Sequence, residues 1–339
     1  MNATRPFVAV LAIAACCQAV GDAPTSSPVP IVYSTDLYHP HGDPDDHFDL
    51  MTLFALPEFD IRAIVIDMGE RGKGHPGTLT LNQAMHITGR TVPYATGLLT
   101  NLETPQDKTT NQPDETQAGV HLICKALQEA ERPVTVFVTG SLRDVAAAYN
   151  RKPDLFKAKV ARVYVNAGHS SGGREWNVGL DPHAFVRILR SGLPIYWVPC
   201  FGDAGYASLW KFKHADVLAD APPAVQNFFI YALTKADPNR QDPIAALDAA
   251  PPQEVVDTLW AKERNMWCTG AFLHAASRSH ASFSFDEATI RIADDGTTRI
   301  VDGVDGVDGV VLPVFHVTAQ DEYTAAMTGV LKGLLEGMK

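Results

Sequence analysis

Positive charge is scarce in this chain of 339 residues: 28 Lys plus Arg stand against 39 Asp plus Glu, a formal net charge of −11. No run of Lys or Arg occurs anywhere, so the surface carries a negative field that repels nucleic-acid phosphates and excludes a role in binding nucleic-acid polymers. Long apolar runs are missing too; none approaches the roughly 20 residues that a membrane-spanning helix needs. Cysteine is sparse, five in all, and the three beyond the N-terminus (Cys124, Cys200, Cys268) have no C-x-x-C spacing. A zinc or disulfide framework is therefore not supported; Cys124, in an apolar helical pattern, and Cys200, at the end of a strand-like run, read as buried thiols. What is plentiful is apolar content, 46% against 20% charged residues, enough to bury one large α/β domain or two smaller ones.

At the N-terminus a single cation, Arg5, precedes the short apolar run Phe7 to Ala15 and then Cys16-Cys17. A short apolar segment ending in small residues predicts an export signal over residues 1–20. Ile13-Ala14-Ala15-Cys16 resembles a bacterial lipobox, which would make Cys16 a lipid anchor to a membrane; plain secretion is the alternative. The expected location is thus the periplasm or cell envelope. Gly21 to Pro30 is mostly small, polar or proline and reads as a tether, leaving 31–339 as the folded domain.

From Ile31 onward short β-branched runs alternate with amphipathic windows. The predicted strands are Ile31–Ser34, Ile61–Ile66, Val134–Val138, Val160–Asn166 and Pro194–Pro199, each nearly continuous in apolar residues as parallel strands covered on both faces are. The predicted helices are His47–Leu56, Thr78–Thr88, Gln117–Glu129, Leu142–Tyr149 and Pro182–Arg190. Strand and helix in alternation predict an α/β fold, a doubly wound and mainly parallel sheet with flanking helices and right-handed crossovers. The C-terminal third reads as helical additions, then a hairpin from Phe283–Ile292 and Thr298–Val301, then the Asp-Gly repeat of 301–309 as an acidic surface loop.

In such a sheet the ligand lies beyond the carboxyl ends of the strands. That rule singles out Asp36 to Asp46, Asp67 to Gly74, Thr139-Gly140 and Gly168 to Asn177. The first is the most acidic, with Asp36, Asp43, Asp45, Asp46 and Asp49 following one strand and opening a helix. Carboxylates crowded at a strand end repel one another, and a hard divalent cation with oxygen ligands is the usual compensation; a helix cap with solvated neighbours is the bland reading. Asp67 to Gly74, with its glycines and the cations Arg71 and Lys73, reads as a polar lid or an anion contact.

Thr35-Asp36 followed by Gly42-Asp43-Pro44-Asp45-Asp46 resembles the D-x-D-P-G-x-D-D cluster of the inosine-uridine preferring nucleoside hydrolase superfamily, with Ser34 at the first aspartate. Further stretches resemble the family in the same order: Thr91 to Gly97, Thr139-Gly140-Ser141-Leu142, Glu175-Trp176-Asn177 with Asp181-Pro182, and the closing strand and helix from Val314 to Leu335. The resemblance implies a Ca2+ ion held by Asp36, Asp46, the Thr139 carbonyl and Asp242, the last from Gln241-Asp242-Pro243-Ile244-Ala245. It also implies hydrolysis of the N-glycosidic bond of a nucleoside or related riboside. Asp36 would take the proton of the attacking water, Asp45 would accept from a ribose hydroxyl, and Glu175 and Asn177 would grip other sugar hydroxyls. Trp267 is a candidate to stack on base or sugar.

Gln241 stands where the family has a histidine, and an amide cannot act as a general acid at neutral pH. His39, His41, His169 and Tyr231 are the candidate replacements as leaving-group acid. The partner expected is therefore a small nucleoside or riboside, with a homo-oligomer compatible with the chain. A divergent carbohydrate-binding protein on the same fold is the alternative reading. A phosphatase with an aspartate nucleophile is weaker, because Thr35-Asp36-Leu37-Tyr38 contains no D-x-D.

Overall fold

The structure is a computed structural model that describes residues 27–74, 77–301 and 309–338. The expected leader over 1–20, the lipidation point Cys16, most of the tether and the Asp-Gly tract of 302–308 lie outside the described residues. Val29 and Pro30, which the sequence assigned to the tether, already belong to the first strand.

Strands β1 (Val29–Thr35), β2 (Phe59–Ile66), β3 (Tyr94–Thr96), β4 (Val134–Val138), β5 (Val160–Asn166) and β6 (Ile195–Val198) are followed by β7 (Trp210–Lys213), β8 (Glu263–Met266), β9 (Phe283–Ile292), β10 (Thr298–Val301) and β11 (Val310–Val317). Nine of them form one sheet in the order β10-β9-β11-β6-β5-β4-β1-β2-β3. Pairing is parallel from β11 through β3, and only β9 runs antiparallel to β11 and β10. The mainly parallel sheet and the C-terminal hairpin are as the sequence predicts. The small antiparallel pair of β7 with β8 is not, because Glu263–Met266 is short and largely polar and carries no strand period.

Successive strand residues face opposite sides, which is why these strands read as unbroken apolar runs. Ile31, Tyr33, Phe137 and Tyr164 enter one core with the helices Asp45–Ala55, Pro223–Leu233, Thr269–Ala275 and Gln320–Glu336. Val32, Val136, Val138 and Val163 enter the other with Ala118–Glu129, Arg143–Arg151 and Pro182–Leu189. Cys200 is buried as expected and Cys268 is buried too, whereas Cys124 is only half-buried against the core.

Candidate active site

From β1 the chain winds outward to β2 and β3, then returns to β4 on the other flank of β1. The strand order therefore reverses between β1 and β4, and a crevice opens beyond their carboxyl ends. Asp36 directly follows β1 and Thr139 directly follows β4. Thr139 N–H donates to the Ser34 carbonyl at 2.9 Å, and Asp67 N–H, just past β2, donates to the Thr35 carbonyl at 2.7 Å. Gly140 permits this closeness: a Cβ there would lie 2.6 Å from the Asp36 nitrogen.

Asp46 lies in the first turn of the helix Asp45–Ala55, and its Oδ1 accepts from Thr35 Oγ1 at 2.6 Å and Thr139 Oγ1 at 3.2 Å. Tyr33 OH lies 2.9 Å from Thr139 Oγ1, so the hydroxyls of β1 and β4 aim at one carboxylate. Burial pushes the Asp46 carboxyl up to about 6, against the pull of its hydrogen bonds from Thr35, Thr139 and Asp36. Burial, then the charges of Asp46 and Asp67, raise Asp36 well above the usual carboxylate range. Burial, then Asp46, Asp49 and Asp36, do the same for Asp45. These groups cannot all ionise unless positive charge joins them.

Asp36, Asp45, Asp46 and Thr139 line one cavity of about 380 Å3, whose far wall carries Glu175 and Asn177. Both Glu175 oxygens are held by main-chain donors: Gly168 N–H at 2.8 Å, Asn177 N–H at 3.0 Å and Val178 N–H at 3.0 Å. Glu175 is thus a rigid carboxylate at the start of the short helix Trp176–Leu180. Asn177 Nδ2 donates to the carbonyls of Thr139 at 3.2 Å and Asn166 at 3.1 Å, tying the ends of β4 and β5 together. Its amide hydrogens are therefore spent inside the protein, and only Oδ1 can meet a sugar hydroxyl.

Asp67 is buried and accepts from Arg143 Nη1 at 3.0 Å and Ser141 N–H at 3.0 Å, while Arg143 Nε reaches Asp181 at 3.4 Å. Just past β2, Asp67 thus forms a buried ionic junction, and the short helix Gly69–Gly72 follows it. It borders a second cavity of about 410 Å3 that shares Asp36 and Tyr38 with the first.

Asp242 is not brought to this cluster. It is exposed, and its Oδ1 accepts from Ile244 and Ala245 N–H, both at 2.8 Å, at the start of the turn Ala245–Asp248. Asp-Pro is a helix-start signature in its own right, and that local chemistry accounts for the motif. Gln241 and Tyr231 line a separate pocket. Trp267 and Cys268, which precede the helix Thr269–Ala275, line the cavity. Trp267 is half-buried and edge-on to Phe201, with ring centroids 5.9 Å apart. The Cys268 thiol shares a hydrogen bond with the carboxyl of Asp49, which is 1% exposed. Among the four candidates for leaving-group acid, His41 lines the cavity; His39 is buried against Tyr231, and His169 borders a smaller neighbouring pocket.

The family model described as inosine-uridine preferring nucleoside hydrolase matches residues 32–309. The chain belongs to this nucleoside hydrolase family. It is 25% identical over 188 residues to a pyrimidine-specific ribonucleoside hydrolase RihA of Citrobacter koseri, a match covering 49% of this chain and 58% of that protein. Against the RihA of Escherichia coli O1:K1 the identity is 29% over 188 residues, with the same 49% and 58% coverage. The chain thus spans little more than half the length of these curated relatives. Among solved structures, a plant nucleoside hydrolase superposes with a TM-score of 0.61 at 17% identity, covering 92% of this chain and 100% of that one. An inosine-guanosine nucleoside hydrolase gives 0.59 at 16% identity, covering 91% and 99%. These two likenesses concern the fold.

Within the nucleoside hydrolase fold, the residues present fit a hard cation in part. Asp36 and Asp46 offer carboxylates beside the Thr139 carbonyl, all hard oxygen donors, and the charge crowding on them calls for a cation. Asp242 is not among them. Among the described residues no group of three or more His, Cys, Asp or Glu side chains stands arranged to hold a metal ion. The sequence reading also missed Asn166, the last residue of β5, which lines the cavity between Thr139 and Asn177. Its only signal was its place, a polar residue ending an apolar strand at the carboxyl edge of the sheet.

Proposed function

We propose that this protein hydrolyses the N-glycosidic bond of nucleosides or related ribosides. The observation that carries the reading is the convergence of Asp36, Asp45, Asp46, Thr139, Glu175 and Asn177 on one cavity at the point where the strand order reverses. Cleavage of an N-glycosidic bond passes through an oxocarbenium-like sugar cation, which negative charge stabilises and an activated water traps. Asp36, beside the crevice floor, takes the proton of that water. Asp45 and the rigid Glu175 accept hydrogen bonds from the sugar, and Asn177 adds an acceptor through Oδ1. Asp46, fixed by Thr35 and Thr139, keeps its charge toward the developing cation. A Ca2+ ion held by Asp36, Asp46 and the Thr139 carbonyl would neutralise the crowded carboxyls and lower the pKa of a water. His41, at the cavity wall, is the candidate to protonate the departing group. We further propose that the protein works outside the cytoplasm, a reading that rests on the apolar run of Phe7 to Ala15.

A reducing-sugar assay over a panel of purine and pyrimidine nucleosides, with Ca2+ and with a chelator, tests the proposal. Release from at least one nucleoside, abolished by the chelator, is expected; no release from any of them rejects it. One observation favours a second reading, a sugar-binding protein without turnover: Asp242 does not line the cavity that holds Asp36, Asp45 and Asp46. Calorimetric binding of ribose without hydrolysis of any nucleoside would favour that reading.

A further inference from the structure

Asn166 is 1% exposed, yet neither its Oδ1 nor its Nδ2 has a hydrogen-bond partner in the protein. Other asparagines of this chain that are buried or half-buried spend their amides internally. Asn227 donates to the carbonyls of Leu247 and Ala249, Asn150 to those of Pro105 and Asp107, and Asn177 to those of Thr139 and Asn166. The position does not need an amide for folding, because Val163 and Val165 of the same strand and Val198, its register partner on β6, are all apolar. A buried polar group without a partner is rare in folded proteins and points to a partner that binds.

The surroundings define that partner. Asp36, Asp45, Asp46 and Glu175 are acceptors when ionised, Thr139 Oγ1 is spent on Asp46, and both amide hydrogens of Asn177 are spent on carbonyls. Asn166 Nδ2 is an unspent amide donor beside these acceptors, and its Oδ1 adds an acceptor at the same spot. A sugar hydroxyl both accepts and donates, so it is the group that such an amide and a neighbouring carboxylate fix together. Resting on the hydrolase reading above, we infer that Asn166 is a specificity-determining residue that bonds one hydroxyl of the bound sugar and thereby selects the fully hydroxylated ring over the analogue lacking that hydroxyl.

The test compares wild type with Asn166→Leu on a hydrolysed ribonucleoside and its 2′-, 3′- and 5′-deoxy analogues. A site built to bond a hydroxyl rejects the analogue without it strongly, so wild type should disfavour one analogue by at least about 10²-fold in kcat/KM. Asn166→Leu should lose about that factor on the ribonucleoside and little on the one analogue, with discrimination against the other two unchanged. An equal loss on all four substrates, or no loss, overturns the inference. Asn166→Ser, which restores a hydroxyl at the position, should recover part of the discrimination; failure to exceed Asn166→Leu counts against it. If wild type hydrolyses no nucleoside, the hydrolase reading fails, and thermal shifts by ribose and its deoxy forms decide Asn166 alone: preference for ribose in wild type that Asn166→Leu abolishes supports it, and equal shifts overturn it.

Discussion

At the scale of single residues, charge crowding gives the sharpest expectations. Asp36 carries a carboxyl raised by burial and by Asp46 and Asp67, yet as the base it must be ionised. Activity should therefore climb as pH rises through the raised Asp36 value, and added Ca2+, which favours the carboxylate, should move that limb to lower pH. A pH profile of kcat/KM at two Ca2+ concentrations reads this directly. Asp36→Asn should lose about 10²–10⁴-fold in kcat/KM, the usual worth of a general base. Its melting temperature in cation-free buffer should hold or rise, because one of several mutually repelling buried carboxyls is gone; a fall would mean that Asp36 is chiefly structural.

Asp144 provides a test of stability away from the cluster. It is 1% exposed, its Oδ1 accepts from Leu98 N–H at 3.1 Å, and Oδ2 has no partner. Burial, then the charge of Asp67, push its carboxyl from 3.8 to about 7, against the pull of Arg143. The folded state thus binds this proton more tightly than the unfolded chain does. The contribution is fully present below the unfolded value and is lost as pH rises from about 4 to about 7. Asp144→Asn keeps the Leu98 contact and removes the ionisation, so its melting temperature should decline less over that window and exceed wild type by a few degrees above pH 7. Parallel melting curves for the two proteins would refute this account.

At the scale of elements, the sequence was informative where a residue's role follows from the end of a strand. Asp36, Asp45, Asp46, Thr139, Glu175 and Asn177 all sit just past β1, β4 and β5, and a parallel sheet must bring such positions to one edge. Asp242 belongs to no strand end. Its Asp-Pro motif serves equally as a ligand loop and as the start of a short turn, and local spacing cannot separate the two. Asn166 was passed over because an asparagine that closes a strand looks the same whether its amide is spent or unspent. Thermal shifts on adding Ca2+ separate these elements, since binding to the folded state raises its stability with ligand concentration. Asp46→Asn should abolish the shift, Asp242→Ala should leave it intact, and Cys268→Asp, which adds a carboxylate to the cavity lining, should enlarge it. Loss of the shift in Asp242→Ala would restore the original ligand assignment.

Over the whole molecule, the short edge strand β3, exposed or half-buried throughout, carried no apolar run, whereas runs alternating with amphipathic windows were enough to specify β1, β2, β4, β5 and β6. Both faces of those five strands are buried, so each run is nearly unbroken. The C-terminal third was less legible because β8 is short and polar, and because the return of β11 to lie beside β6 depends on packing far apart in the chain. The overall charge of −11 has its counterpart in the site: among the described residues the cavity is lined by Asp36, Asp43, Asp45, Asp46 and Glu175 and by no Lys or Arg. Arg264 pairs with Asp43, and Arg143 is committed to Asp67 and Asp181. A substrate carrying a phosphate would bring negative charge toward this wall without a free cation to receive it, while a neutral nucleoside meets no such barrier. Nucleoside 5′-monophosphates should therefore be poorer substrates than the parent nucleosides by at least about tenfold in kcat/KM, the equivalent of about 1.4 kcal/mol. Raising the salt concentration screens exposed charges and should narrow the gap by slowing nothing on the neutral substrate while helping the charged one. Equal rates for the two substrates, or a gap that widens with salt, would show that a cationic group outside the cavity wall receives the phosphate.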